Sequence, residues 1–130
     1  MEFAVPLADG PGIVRELQRE IDDRGWLIPF PFELRSTAAD EVALSSSTGR
    51  ESMYIAIHVP KAMNPANYFP RFEEILRAAG GRPHWGKMHT RTAEFFRGAY
   101  PRFDEFLAVR DELDPDRVFA NDHLDAVLGR

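Results

Sequence analysis

The sequence predicts an α+β fold, and three observations carry that prediction. Met53 to Val59 alternates with the period of a half-buried strand, setting Met53, Ile55, Ile57 and Val59 against Tyr54, Ala56 and His58. Two stretches, one with Ile13, Leu17 and Ile21 and one with Tyr68, Phe72, Ile75, Leu76 and Ala79, carry apolar residues at helical spacing. The strand-like and helix-like stretches are interleaved along the chain, which places helices against a sheet.

Taken in order, Glu2 to Leu7 reads as a strand stopped by Asp9-Gly10-Pro11, where Pro11 suits a first helical turn. The helix that follows buries Ile13, Val14, Leu17 and Ile21 and is closed by Gly25. Trp26 to Arg35 alternates again and predicts a strand, with Pro29 and Pro31 indicating an edge or a bulge. Ser45 to Gly49 is a polar loop before the Met53 to Val59 strand. Asn64-Pro65 supplies an N-cap and a first-turn proline for a second helix ending at Gly80-Gly81, and Arg82 to Lys87 predicts a fourth short strand. Pro101 opens a third helix with Phe103, Phe106, Leu107 and Leu113 on its buried side, and Asn121 caps a last short helix to Leu128. The order strand, helix, strand, strand, helix, strand is the βαββαβ arrangement of ferredoxin-like domains, with two helices on one face and a C-terminal helical tail.

A chain of 130 residues suits one domain. Its 44% hydrophobic and 28% charged residues are an ordinary globular balance. The net charge is −5 with the basic residues dispersed, which argues against nucleic acid as a partner. Without cysteine there is no disulfide, thiolate nucleophile or Cys-type metal site. No apolar run approaches the ~20 residues needed to span a bilayer, and Met1-Glu2-Phe3 lacks the basic start of a signal peptide, so the expectation is a soluble, cytoplasmic protein.

Strand parity sends Phe32, Leu34, Ile55 and Ile57 under the helices and gathers Glu33, Arg35, Tyr54 and His58 on the opposite face. A solvated sheet face carries such residues without further purpose. The same set also provides a carboxylate and a guanidinium able to bind a polyhydroxyl ligand, and an imidazole able to orient or deprotonate an alcohol. Pro83-His84-Trp85-Gly86-Lys87 crowds an aromatic, a glycine and two titratable residues behind a helix; it reads either as chemistry or as a strand end with Trp85 in the core and Lys87 in solvent. His84 and His89 have no metal-ligand spacing, Asp111, Asp114 and Asp116 belong to an Asp-Pro-Asp turn, and Gly10-Pro11-Gly12 is not a phosphate-cradling loop, so no metal is predicted.

The stretch Gly81-Arg82-Pro83-His84-Trp85-Gly86-Lys87, with Tyr100 to Leu107 and Leu113 to Asn121 behind it, resembles the C-terminal end of the aldonolactone oxidases. That family includes gulonolactone and arabinonolactone oxidases or dehydrogenases and the related alditol oxidases. Met1-Glu2-Phe3-Ala4-Val5-Pro6 and the Glu-x-Arg of Phe32-Glu33-Leu34-Arg35 extend the resemblance over nearly the whole chain. Such enzymes are similar to vanillyl-alcohol oxidase type flavoenzymes, with an FAD domain followed by a domain that covers the isoalloxazine. The resemblance therefore implies residues 1–90 as a ferredoxin-like substrate (cap) domain and 91–130 as a C-terminal helical extension. It also implies a flavin-binding domain or subunit absent from this chain, FAD as cofactor, and a chain inactive by itself. Glu33 and Arg35 correspond to the pair beside the substrate hydroxyls, Lys87 to a cation at the reacting centre and His58 to a pocket histidine, while His84 and Asn121 are implied to touch the cofactor. Pro60 stands where alditol-oxidising relatives carry a hydroxyl residue, which favours a sugar lactone as substrate. An open sheet edge and a surface shaped for a missing domain predict self-association. The alternative is a ferredoxin-like module that binds a ligand or a protein without chemistry.

Overall fold

The computed structural model describes residues 1–130. Its central strand is β1 (Glu2–Pro6), which pairs antiparallel with β3 (Ser52–Ala56) on one side and with β4 (Arg82–Pro83) on the other. β2 (Glu33–Thr37) pairs antiparallel with β3, giving the strand order β2-β3-β1-β4. Helix α1 (Gly10–Arg24) lies between β1 and β2, and α2 (Phe69–Ala78) between β3 and β4. Three more helices follow, α3 (Ala93–Ala99), α4 (Phe103–Leu113) and α5 (Asp122–Leu128), so the fold is α+β with an antiparallel sheet.

The main core forms where the apolar parity of the strands meets the helical stripes. Phe3, Val5 and Ile55 pack with Ile13 and Leu17 of α1 and with Phe69, Phe72, Ile75 and Leu76 of α2. Each such side chain contributes roughly 1.5–3 kcal/mol by leaving water. Gly25 ends α1 at φ 61°, a left-handed conformation that costs glycine nothing, with its N–H on the Asp22 and Ile21 carbonyls. Gly81 is needed for another reason: a Cβ there would lie 2.4 Å from the Leu76 carbonyl oxygen, so the chain can leave α2 and enter β4 at once only without a side chain.

Several elements differ from the sequence-based expectation. The strand expected from Trp26 to Arg35 runs only from Glu33 to Thr37, because Pro29 and Pro31 cannot donate to a ladder; Trp26, Ile28 and Phe32 still pack on the core from irregular chain. The strand expected over Arg82 to Lys87 stops after Pro83, where the chain turns and the Lys87 N–H donates to the His84 carbonyl at 3.1 Å. Asn64 caps a short 3-10 turn, Pro65–Asn67, rather than α2 itself. Helix α3 had no sequence prediction. In α4, Phe103 is buried and Leu107 partly so, but Phe106 and Leu113 are exposed, the latter at 77%.

A second core joins Phe96, Tyr100, Phe103, Val127 and Leu128 to Trp85 and Leu44. It lies toward the polar side of the sheet: Arg82, on the same face as Ala4, donates to the Ser46 and Thr48 carbonyls at 3.3 and 2.8 Å and stacks over Tyr100. The polar face is thus partly covered by the Asp40 to Arg50 loop and the residues around α3, while Glu33, Arg35 and His58 stay exposed on it. No helix is long and apolar enough to cross a membrane.

Candidate functional site

Register builds the site from two rows of side chains that share the face away from the main core. Glu33, Ala56 and Glu2 lie abreast on β2, β3 and β1, and Arg35, Tyr54, Ala4 and Arg82 form the next row. The two alanines leave room above the middle of the sheet, and long side chains fill it. β2 and β1 are two strands apart, about 10 Å, a span a guanidinium can cross. Arg35 Nη2 donates to Glu2 Oε1 at 2.8 Å, and Arg35 Nε lies 3.4 Å from Glu33 Oε1. Glu33 Oε2 in turn holds His58 Nε2 at 3.2 Å.

Lys87 reaches the same place from another element. The turn at His84-Trp85-Gly86-Lys87 is fixed by the Trp85 indole, which stacks on Phe96 at 4.2 Å and donates to the Leu44 carbonyl at 3.0 Å. Gly86 N–H donates to His84 Nδ1 at 3.1 Å. With the turn so held, Lys87 Nζ folds back and donates to Glu2 Oε2. Of the alternative readings, Trp85 packs against a core as a strand end would, while Lys87 turns from solvent onto the Glu2 carboxylate.

Glu2 is 2% exposed. Burial alone would favour its neutral form, but the hydrogen bond from the Lys87 ammonium and the charges of Lys87, Arg35 and His84 outweigh it and hold the carboxyl below the usual glutamate range. A cleft of about 460 Å³ opens beside this group, bordered by Glu2, Arg35, Tyr54, His84 and Trp85. Tyr54 lies with its ring about 6.0 Å from the Arg35 guanidinium, and its hydroxyl is 3.2 Å from the Ser47 hydroxyl.

Comparison with known proteins gives this geometry a context. The family model described as D-arabinono-1,4-lactone oxidase matches residues 1–127. The chain belongs to that family. It is similar to an L-gulono-1,4-lactone dehydrogenase of Mycobacterium tuberculosis, with 49% identity over 99% of this chain and 30% of that protein. It is also similar to an L-gulonolactone oxidase of Bos taurus, with 33% identity over 98% of this chain and 30% of that protein. An alditol oxidase of Streptomyces sp. is 39% identical over 74% of this chain and 23% of its own length. The chain thus spans about three tenths of the length of the aldonolactone oxidases and dehydrogenases it matches.

Against that family background, the residues singled out from the sequence fall into two groups. Glu33, Arg35, His58 and Lys87 are linked into one network, and His84 borders the same cleft. Asn121 is not in that network: its side-chain oxygen accepts from the Leu124 N–H at 2.9 Å and caps α5. Glu2, on which the network closes, was read only as part of a strand. Its signal was present in the register, since Glu2 shares a parity with Ala4 and not with the buried Phe3 and Val5, but the pairing that sets it beside Arg35 and Lys87 is not written in local sequence.

Proposed function

We propose that this chain is the substrate-binding part of an FAD-dependent oxidoreductase that oxidises a CH–OH group of a sugar-acid 1,4-lactone of the gulono- or arabinono- type. Residues 1–90 form the substrate domain and 91–130 its helical extension, with a flavin-binding domain or subunit as partner. The observation that carries this reading is the convergence of Arg35 and Lys87, from different elements, on one buried carboxylate at an open cleft. Family membership supports the reaction class.

The donor set suits a flavin only in part. This chain has no glycine-rich loop to cradle a pyrophosphate, so its contacts are with the ring and not the dinucleotide tail, through His84 at the cleft rim and the two cations nearby. When bound against this face, the flavin supplies the two-electron acceptor. The work of the chain is orientation and charge. Glu33 and Arg35 bind neighbouring hydroxyls of the lactone, Arg35 with a planar fork able to meet two oxygens. His58, oriented by Glu33, takes the hydroxyl proton. Lys87 stabilises the oxygen as negative charge grows on it. The roof formed by Trp85 and the Leu44 loop excludes water from one side of the cleft.

The test is anaerobic stopped-flow flavin reduction in the intact flavoenzyme that carries this chain. Several lactones, L-gulono-1,4-lactone among them, should bleach the flavin. Lys87→Met should lower the saturating rate by about 10²–10³, on the order of 2.7–4 kcal/mol for one such donor, with a smaller change in half-saturation. Arg35→Lys should also be harmful, because an ammonium cannot copy the fork. If Lys87→Met reduces flavin at the parent rate, Lys87 does not act on the transition state.

A further inference from the structure

Glu2 touches both cations of the cleft, and the roles assigned so far give it none. We propose that Glu2 is a positioning residue for this oxidation: its two carboxylate oxygens set Arg35 and Lys87 side by side next to the cleft. This rests on the assignment of the preceding subsection and deepens it.

Location makes the first argument. The central strand is where a sheet gains most from apolar or small side chains, and the same row holds Ala56. Withdrawing a carboxylate from water there is costly, and two charge-assisted hydrogen bonds offset that cost only if both partners are held in place. Reach makes the second. Arg35 comes from the edge strand β2 and Lys87 from the turn after β4, on opposite sides of β1, so a carboxylate on β1 meets both. The third is the division of oxygens, with Oε1 taking the guanidinium and Oε2 the ammonium. Each cation has a separate seat and both are drawn to one side of the cleft, where like charges would otherwise drive them apart.

The charged surroundings are otherwise mostly cationic. Lys87 and Glu2 face Arg35 from β2 and His84 from the turn, while β3 contributes Ala56 and Tyr54. Glu33 is the one other carboxylate, and it is already shared between Arg35 and His58. Neutralising Glu2 therefore leaves Arg35 and Lys87 without the carboxylate that seats them together, and their like charges move them apart.

Glu2→Gln in the intact flavoenzyme, assayed by flavin reduction with L-gulono-1,4-lactone, tests this. The expected result is a saturating rate lowered by about tenfold to a hundredfold, with half-saturation changed by less than about threefold. In the double variant Glu2→Gln/Lys87→Met the added loss should be smaller than the Glu2→Gln penalty alone, because part of what Glu2 does passes through Lys87 and only the Arg35 part remains. A parent rate in Glu2→Gln, or penalties that add in full in the double variant, overturn the proposal while leaving the site intact. Unchanged rates in both Lys87→Met and Arg35→Lys overturn the site itself. If Glu2→Gln does not fold, Glu2→Asp gives the reading: its charge remains but its shorter arm loses one cation, so the saturating rate should fall with half-saturation little changed, and a parent rate refutes the positioning role.

Discussion

Two glutamates are withdrawn from water to nearly the same degree, Glu2 at 2% and Glu73 at 4%, and they are held by different kinds of partner. Glu73, on α2, accepts from the Thr90 N–H at 2.8 Å, the Thr90 hydroxyl at 3.0 Å and Arg91 Nε at 3.0 Å. These are bonds to a passing loop, backbone included, and they tie the segment before α3 to the helix. Glu2, which itself lines the cleft, accepts from two long side chains, Arg35 on the cleft wall and Lys87 from the turn beyond it. Burial and ion pairing mark both residues equally, so neither distinguishes a site from a brace. What distinguishes them is what the partners can still do: the Thr90 amide is spent in fixing the loop, whereas Arg35 has further donors and Lys87 a charge that a ligand can use.

The sharpest way to break this comparison is to remove the brace. Glu73→Ala should lower the unfolding free energy of the intact protein by about 1–3 kcal/mol, the cost of leaving the Thr90 N–H and hydroxyl and Arg91 without their acceptor. Urea denaturation reads it. The saturating rate of flavin reduction in whatever folds should stay near the parent value, and a fall of about tenfold to a hundredfold like that expected for Glu2→Gln would mean the two carboxylates do the same kind of work.

Acid unfolding sharpens the comparison from the other side. Because the folded-state pKa of Glu2 is depressed below its ordinary 4.5, its ionised pairing contributes stability above that value, and the contribution is lost as pH falls through the folded value. Glu2→Gln should therefore show a shallower loss of stability below about pH 4.5 than the parent, followed by thermal melts from pH 7 to 3. A curve parallel to the parent's would mean that Glu2 is not paired in solution as it is here.

How much of this was legible beforehand depended on the range of the interactions. Pro11 after Asp9-Gly10 with the Ile13-Leu17 stripe, the Phe72-Ile75-Leu76 stripe and the Met53 to Val59 alternation are local signals, and they place α1, α2 and β3 correctly to within a few residues. The parity of Glu33 and Arg35 survives although the strand carrying them begins later than the alternation suggests, because parity needs only the ordered part of β2. The Trp26 to Phe32 stretch misled because its side chains alternate toward the core while its prolines forbid a ladder. Helix α3 was missed because Thr92 offers no side-chain cap and only Phe96 of its seven residues is fully buried, so it carries little stripe of its own. The Leu44 loop over Trp85 and the meeting at Glu2 depend on contacts 41 and 85 residues apart, beyond any sequence window.

The smallest effect concerns Asn121, where a cap and a proposed cofactor contact must be separated. Its side-chain oxygen is committed to the Leu124 N–H, so Asn121→Ala should cost about 1 kcal/mol through the frayed start of α5, whose Val127 and Leu128 belong to the second core. Serine at this position caps nearly as well, yet it lacks the amide NH2 that capping leaves free. Asn121→Ser should therefore melt within about 0.5 kcal/mol of the parent but release flavin several-fold more readily in equilibrium titrations of the intact enzyme. The two variants together separate the roles: if Asn121→Ser matches the parent in both melting and flavin affinity, the residue ends a helix and does nothing more.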